Sequence, residues 1–193
     1  MATYDVLYPV FAKMTAESTS GNTYATGKFI GKQRTLTVTP NMAKATLSGD
    51  GTETAEEIEE ISSAEINLET TFIPKDVHND MFGSTYTEAT TGDNATPAKI
   101  VDKDSDSPNY GGFGCVIKTI ENGVREYMLM WLNKAKFSLP AETATTKGNN
   151  VTFGTPQLKG TAIPDISGEW RSKTYYATLA EAFAALKTKA GIS

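Results

Sequence analysis

Strict alternation of apolar and polar positions predicts β-strands along much of this chain. In the stretch "SAEINLETTF" the residues expected on the core face are Ala64, Ile66, Leu68, Thr70 and Phe72. A period of two places one face of a strand on the core and the other in water. Similar patterns predict strands at "YDVLYPVFAKM", at "KFIGKQRTLTVTP" from about Arg34, and at "NVTFGTPQLKGTAI". Pro9 in the first of these cannot donate a ladder hydrogen bond, which predicts an edge strand or a bulge.

The stretch "GFGCVIKTIENGVREYMLMWLNKAKF" predicts a β-hairpin. Asn122-Gly123 is the turn signal, since both central positions of a type I′ turn need a positive φ. The second strand is unusual because Tyr127 to Leu132 are all apolar or aromatic. If Arg125 to Pro140 were one straight strand, it would span about 50 Å, which is long for a strand. A bend or bulge is therefore expected within it.

The two faces of that second strand differ in pattern. One face is apolar along its length, which predicts the core face: Tyr127, Leu129, Trp131, Ala135, Phe137 and Leu139. The other face begins with Met128, Met130 and Leu132 and then becomes polar. A second apolar patch in an antiparallel hairpin needs cover. Either a helix of the same chain, such as the stripe Leu179–Leu186, or a neighbouring subunit supplies it. These three residues are therefore candidates for self-association.

Two stretches have helical patterns. In "IPKDVHNDMFG", Val77 and Met81 are four residues apart and Gly83 follows, which predicts a short helix. In "TLAEAFAALKTKAG", Thr178 lies three residues before Glu181, the spacing of a capping box. The apolar stripe of this C-terminal helix consists of Leu179, Phe183 and Leu186.

Two polar segments separate the predicted elements. Asn41–Ile58 is acidic and contains glycine, which predicts a long loop, and such loops are usually functional or disordered. Ser84–Asn109 has few large apolar groups and predicts an excursion with a short strand at Lys99–Val101. We expect residues 1–193 to form a single domain of the mainly β (α+β) class.

Composition and charge narrow the function classes. The 193 residues include 18 lysines and arginines and 23 aspartates and glutamates, giving a net charge of −5. This balance argues against a protein that grips nucleic acid, which needs a basic stripe, but allows one that DNA slides past. The start of the chain does not resemble a signal peptide, and no apolar run approaches the about 20 residues of a membrane helix. Synthesis and folding in a cytoplasm are expected.

Motifs for catalysis or metal binding are incomplete. His78 is the only histidine and has no nucleophile motif to serve, and Cys115, the only cysteine, is expected to be a small buried apolar group. "GGFG" precedes a strand rather than the helix of a nucleotide-binding loop. The aspartates of "DKDSDSPNYGGF" match the first ligand positions of a calcium loop, but serine and phenylalanine stand where glycine and glutamate are required. We expect no enzyme, no cofactor and no metal site.

Four segments carry a family resemblance. They are "TLTVTPNMAKATLSGDGTETAEEIEEISSAEINLE" (Thr35–Glu69), "IPKDVHNDMFG" (Ile73–Gly83), "REYMLMWLNKAKFSLPAETATTKG" (Arg125–Gly148) and "VTFGTPQLKGTAI" (Val151–Ile163). Their order and spacing resemble the major tail protein family of long-tailed, non-contractile bacteriophages. The third segment contains the pattern W-L-x-K-x-K-F-S-L-P and the fourth contains F-x-T-P-x-L-x-G-T, and it is the order and spacing of all four segments that is specific. The C-terminal helix and the excursion depart from the family pattern.

The resemblance implies a structural subunit of a phage tail tube, located in the virion tail. Such proteins have a two-sheet β-sandwich or barrel with a flanking helix, and they form stacked, usually hexameric rings. The implied partners are further copies of the chain, the tape measure protein, and the tail terminator and initiator proteins. Double-stranded DNA would pass through the lumen without specific binding, and no membrane is implied. An acidic balance suits that passage, since bound phosphates would stall ejection.

In this family a long loop reaches adjacent subunits or rings. The resemblance therefore makes the segment at about 41–58 the candidate arm, loose in a monomer and ordered on stacking. It adds Ser48, Asp50 and Glu53 to the candidate residues for self-association.

A β-sandwich carbohydrate-binding or adhesion module is the alternative function. Such a module needs exposed aromatic side chains on a flat face. Trp170, Tyr175 and Tyr176 near the C-terminus could supply them.

Overall fold

The computed structural model of the chain describes residues 1–49, 53–92, 95–142 and 154–193, with the backbone alone at 47–49 and 53–56. The first five strands are β1 Ala2–Ser18, β2 Gly21–Tyr24, β3 Lys28–Phe29, β4 Gln33–Gly49 and β5 Glu53–Thr70. The later elements are α1 Val77–Phe82, β6 Thr85–Thr87, β7 Lys99–Val101, β8 Gly111–Glu121, β9 Val124–Phe137, β10 Gln157–Ala162, β11 Arg171–Tyr176 and α2 Leu179–Lys189.

One large antiparallel sheet contains nine of these strands. Its order is β2-β1-β8-β9-β10-β5-β4, with β3 paired to β1 and β11 paired to β9. Strand β4, at one end of this order, lies near β1 at the other. The sheet therefore curves back on itself. The remaining described strands, β6 and β7, form a separate antiparallel pair. The expected mainly β class is confirmed.

Local sequence signals account for several elements. Asn122 and Gly123 have φ values of 49° and 82°, as the hairpin turn between β8 and β9 requires. Helix α1 ends at Gly83, which has a φ of 81°. Thr178 and Glu181 form the predicted capping box of α2. The predictions of this hairpin and of both helices are therefore confirmed.

The alternation in β5 predicts its buried face. Ala64, Ile66, Leu68 and Thr70 are at most 2% exposed. Phe72, expected on the same face, is 54% exposed because the strand ends at Thr70. The pattern is thus confirmed up to the end of the strand.

A β-bulge lies in the middle of β9. Leu132 and Ala135 both have direct partners on β8, but between them Asn133 and Lys134 together oppose the single residue Gly112. An extra residue in one strand shifts the alternation by one position. Odd-numbered residues of β9 therefore face one side of the sheet before the bulge and the other side after it. The bend or bulge expected in this strand is confirmed.

Two apolar clusters occupy the two sides of β9. The inner cluster lies between the curved parts of the sheet: Phe11, Ile30, Ala64, Ile66, Leu68, Val77, Met81, Phe82, Phe113, Leu132, Ala135, Phe137, Leu158 and Ala162. The helix cluster lies under α2: Val10, Ala12, Val116, Leu129, Trp131, Ala182, Leu186 and Ala190. Strand β9 is covered on both sides, which explains its continuous apolar run.

The prediction that β9 has a single core face along its length is wrong. Leu129 and Trp131 belong to the helix cluster, whereas Ala135 and Phe137 belong to the inner cluster. The bulge separates the two pairs. Leu139, expected on the same face, is 50% exposed beyond the end of the strand.

A second bulge interrupts β1 at the predicted place. The pairing with β8 shifts between Leu7 and Val10, and Tyr8 has a φ of 56°. Pro9 has no amide hydrogen to lose at this position, and its carbonyl accepts from the Ile30 amide at 2.8 Å. Of the two alternatives for Pro9, the structure has the bulge.

The loop expected at 41–58 is a paired hairpin in its described part. Pairing of β4 with β5 continues from Asn41 opposite Ser63 to Gly49 opposite Glu53, and residues 50–52 lie outside the described chain. The polar composition concealed these strands because each satisfies the backbone of the other, with little apolar surface involved. In the excursion at 84–109, the predicted short strand at Lys99–Val101 is confirmed as β7.

Two glycines of "GGFG" make room for the largest buried side chain. A Cβ at Gly112 or at Gly114 would collide with the indole ring of Trp131, and one at Gly114 would also lie 3.0 Å from the Cδ1 atom of Leu186. Trp131 is 2% exposed and packs its ring edge against Tyr24, with centroids 5.5 Å apart. These glycines therefore serve the packing of the helix cluster.

Gly114→Ala should lower the free energy of unfolding by about 1–3 kcal/mol, because overpacking displaces the Trp131 ring or α2. Denaturant titration followed by tryptophan fluorescence measures this change. Thr174→Ala on the exposed surface of β11 is the control, with an expected change within about 0.5 kcal/mol. Equal stability of the Gly114 variant and the wild type would contradict the packing role.

Candidate assembly surfaces

The apolar candidates for self-association are covered by the chain itself. Met128, Met130 and Leu132 are 3%, 4% and 0% exposed. They lie on the inner side of β9, where Leu132 joins the inner cluster. Helix α2 is not their cover, because it packs on the opposite side, against Leu129 and Trp131. Burial does not require a neighbouring subunit at this place, and a role of these residues in self-association stays a prediction.

Helix α2 contacts the body of the protein in its middle and at its C-terminal end. Its Phe183 ring lies 4.5 Å from that of Tyr8, and the carbonyl of Ala190 accepts from the Gly27 amide at 2.7 Å. The Nζ atom of Lys189 donates to the Ser172 hydroxyl of β11 at 2.9 Å. The carbonyl near the helix end is thereby satisfied, and the helix covers one side of β9.

The outer part of the β4–β5 hairpin, residues 41–49 and 53–61, is called the outer arm below. In the described residues β4 pairs only with β5, and β5 pairs with β10 only between Ala64 and Glu69. Two large apolar side chains of the arm, Met42 and Ile58, are 50% and 58% exposed. The arm thus has open strand edges and exposed apolar groups, both of which are suited to contact with another chain.

Two of the three remaining self-association candidates, Ser48 and Glu53, are at the end of the outer arm. Ser48 pairs through its backbone with Thr54, and Gly49 pairs with Glu53. The side chains of Ser48 and Glu53, and the whole of Asp50, lie outside the described part of the chain. The structure thus places two of these candidates at the far end of the hairpin, and their contacts stay a prediction.

A buried carboxylate that sequence reasoning missed borders an open cleft of about 360 Å³. Asp165 is 7% exposed and accepts five hydrogen bonds. Its Oδ2 atom accepts from the side-chain amides of Asn22 and Asn133, each at 2.9 Å. Its Oδ1 atom accepts from the Ser167 hydroxyl and from the amides of Ser167 and Glu169. This aspartate therefore joins β2, the β9 bulge and the loop before β11.

The same network satisfies the backbone of the bulge. The Asn133 amide donates to the Trp170 carbonyl at 3.0 Å, and the Asn133 carbonyl accepts from the Tyr24 hydroxyl at 2.8 Å. Buried backbone groups that leave the ladder need such partners. The polar groups that line the cleft thus already form hydrogen bonds that stabilise the fold. This weakens the interpretation of the cleft as a catalytic site.

The hydrogen bonds of Asp165 favour its charged form. Burial acts to raise the pKa of this carboxyl, but the Ser167 hydroxyl, the Asn133 amide group and the two backbone amides together hold the pKa below its ordinary value. The carboxylate therefore contributes stability that is fully present above the pKa of the unfolded state. That contribution is lost as the pH falls through the lower, folded-state pKa.

The side chains considered for catalysis or metal binding, Cys115, His78 and the aspartates near residue 104, lie in separate surroundings. Cys115 is fully buried, and desolvation raises its pKa to about 12, which makes it a poor nucleophile at neutral pH. The ring of His78 lies 5.3 Å from that of Phe82, and burial lowers its pKa. In the stretch that partly resembles a calcium loop, the carboxylate of Asp106 accepts from the Lys103 amide at 2.7 Å. The described residues contain no group of three or more side chains arranged to hold a metal ion.

The C-terminal aromatic residues do not share one exposed face. Trp170 packs against the inner cluster, and Tyr176 packs against the helix cluster on the other side of the sheet. Tyr175 alone is well exposed, at 44%. A flat sugar-binding platform needs several coplanar exposed rings, so this arrangement gives the carbohydrate-binding alternative no support. Within the part of the chain that the structure describes, no helix is long and apolar enough to cross a bilayer.

Asp165→Asn should lower the free energy of unfolding at pH 7 by about 1–3 kcal/mol, because the amide cannot accept all five hydrogen bonds. The deficit should shrink as the pH falls below about 4, where the wild-type carboxyl becomes protonated and loses its advantage. Denaturant titrations across this pH range test both points. Asp104→Asn in the exposed loop is the control and should leave stability within about 0.5 kcal/mol. A deficit that is constant with pH would contradict the charged-state argument.

No protein-family model matches the chain. A search of curated proteins likewise found no match to it.

Proposed function

We propose that this chain is a structural subunit of a phage tail tube. Copies would assemble into stacked, hexameric rings that enclose the tape measure protein and later conduct DNA during ejection. The terminator and initiator proteins of the tail would bind at the ends of the tube. The role is one of self-assembly in the virion tail, with no catalytic step and no specific DNA binding.

The outer arm is the observation that carries this proposal. A hairpin that pairs only with itself among the described residues gains little stability from the rest of the chain. Its exposed Met42 and Ile58 would be a liability in a monomer but suit a surface that neighbouring copies cover. The resemblance of Thr35–Glu69 to the tail protein family includes this same segment.

The mainly β fold and the position of α2 also support the proposal. Among the described strands, β4 and β11 each have one unpaired edge in the large sheet, and such edges can pair with strands of other copies. Helix α2 and the inner cluster already cover both sides of β9. Assembly contacts would therefore fall on the edges and the arm rather than on the apolar run of β9.

Negative-stain electron microscopy of the concentrated protein, with light scattering alongside, tests the proposed function. Stacked rings or hollow tubes are expected. A glycan screen and a general hydrolase screen on the same material are the comparison. Sugar binding or substrate turnover by a chain that stays monomeric would overturn the tube assignment.

Deleting the arm tip, Ser48 to Thr54, should leave a folded protein that no longer makes long tubes, because ring stacking would lose its contact. Circular dichroism checks the fold, and electron microscopy measures the tube length. Tubes of normal length from this deletion variant would show that the arm tip is not needed for ring stacking.

Ile58→Thr offers a milder test of the arm, since it keeps a β-branched side chain and removes apolar surface. The concentration needed for assembly should rise about tenfold, while the melting temperature stays near that of the wild type. Val124→Thr, at a position 60% exposed in the β8–β9 hairpin, is the matched control. Equal effects of the two substitutions would argue against a specific contact at Ile58.

A further inference from the structure

The net charge of the chain resides in one segment. Residues 41–61 contain six of the 23 acidic residues and one of the 18 basic residues, a net charge of −5. The rest of the chain contains 17 acidic and 17 basic residues, so residues 41–61 account for the whole net charge of −5. A protruding element with this charge is attracted to positive surfaces and repels copies of itself.

The acids of the arm are arranged by strand geometry. Glu57 and Glu59 lie two residues apart and so point to the same face of β5, about 7 Å from each other. Lys44 shares that face, and its Nζ atom lies 2.6 Å from the Glu57 carboxylate. Lys44 is the only basic residue in residues 41–61 of the sequence. This face therefore has two carboxylates and one ammonium group, a net charge of −1, and Glu59 forms no ion pair within the described residues.

A positive strip with the same spacing lies on β11. Arg171 and Lys173 are also two residues apart on one face of an edge strand that pairs only with β9 in the described structure. Within the described residues, neither Arg171 nor Lys173 forms an ion pair with a carboxylate. The guanidinium of Arg171 lies 4.2 Å from the Trp170 ring centre, which orients it.

The surroundings of this strip add to its positive potential. Burial lowers the pKa of Lys173, and the nearby positive charge of Arg171 lowers it further, because like charges disfavour the protonated form. Residues 171–193 contain four basic residues and one acidic residue, and that acid, Glu181, is engaged in the cap of α2. A carboxylate placed beside Lys173 would relieve the repulsion.

We propose that the acidic outer arm of one copy docks on the Arg171–Lys173 strip of β11 in a second copy. This inference deepens the proposed function, on which it rests, by naming the surface that receives the arm. The matching spacing lets Glu57 and Glu59 of one copy face Lys173 and Arg171 of the other in an antiparallel approach. A second copy is the fitting occupant because each chain supplies one negative arm and one positive strip.

Charge reversal and mixing test this docking. The basic-arm variant carries Glu57→Lys and Glu59→Lys, and the acidic-strip variant carries Arg171→Glu and Lys173→Glu. Each variant alone should lose self-association, because the arm face with residues 57 and 59 and the strip on β11 then have the same sign. An equimolar mixture should recover it, because the basic arm meets the acidic strip while the acidic arm of the second variant meets the basic strip of the first.

Sedimentation velocity on the full chain gives the readout. The wild-type dissociation constant should rise at least about tenfold between about 10 mM and about 1 M salt, as screening predicts. Each variant alone should be weakened at least about tenfold at low salt, and the mixture should return to within about threefold of the wild type. A mixture no stronger than its components would overturn the proposal.

Matched controls separate the specific contact from net charge and from folding. Lys99→Glu with Lys103→Glu changes the net charge as the acidic-strip variant does, but at the exposed excursion, and should keep self-association. The neutral pairs Glu57→Gln with Glu59→Gln, and Arg171→Gln with Lys173→Gln, should show intermediate losses with unchanged melting curves. Equal loss in the control variant would overturn the proposal.

Failure of the docking proposal and failure of the tube assignment give different results. Normal tubes from the charge variants under the electron microscope would overturn the docking and leave the tube function standing. Salt-sensitive complexes that mixing restores, without rings or tubes, would support the docking and count against the tube. A wild type that stays monomeric at low salt and high concentration would overturn the docking directly.

Discussion

The β9 bulge at Asn133 and Lys134 is the constraint that organises the two sides of the sheet. Before it, Trp131 faces α2; after it, Phe137 faces the inner cluster, although both positions have the same parity. A one-residue shift thus lets a single strand supply both clusters. The backbone groups released by the bulge are satisfied by Tyr24 and Trp170, and the Asn133 side chain is bound by Asp165. Loss of this network would expose unsatisfied groups beside the tightest packing.

Burial and charge divide the described part of the molecule into two regions with different properties. The body around β8 and β9 contains the two apolar clusters and has glycines shaped to Trp131. The outer arm has exposed apolar residues and belongs to the segment 41–61, which carries the entire net charge of the chain. The body therefore supplies stability, and the arm supplies a surface that has little reason to exist in a monomer. The proposed tube function and the proposed docking both rest on this division.

Strand and helix signals that depend on neighbouring residues were accurate. The alternation of Ala64 to Thr70, the Asn122-Gly123 turn and the Thr178 capping box all act over a few residues, and the structure has each of them. The arm strands were missed because their pairing does not need an apolar face, so the period-two signal is weak there. Arg171 and Lys173 were missed because a short basic pair is ordinary until the ion pairs of the chain are known.

The sequence by itself determined the mainly β class, both helices, the main hairpin and an acidic segment between two strands. These features follow from local spacing, turn chemistry and composition, which act without knowledge of distant partners. Only the tertiary structure decided which side of β9 each apolar residue faces, since a single bulge reverses the assignment. It alone placed α2 over Trp131 and joined Asp165 to Asn22 and Asn133, because those contacts link residues far apart in the chain. Long-range packing, rather than local preference, selects among such arrangements.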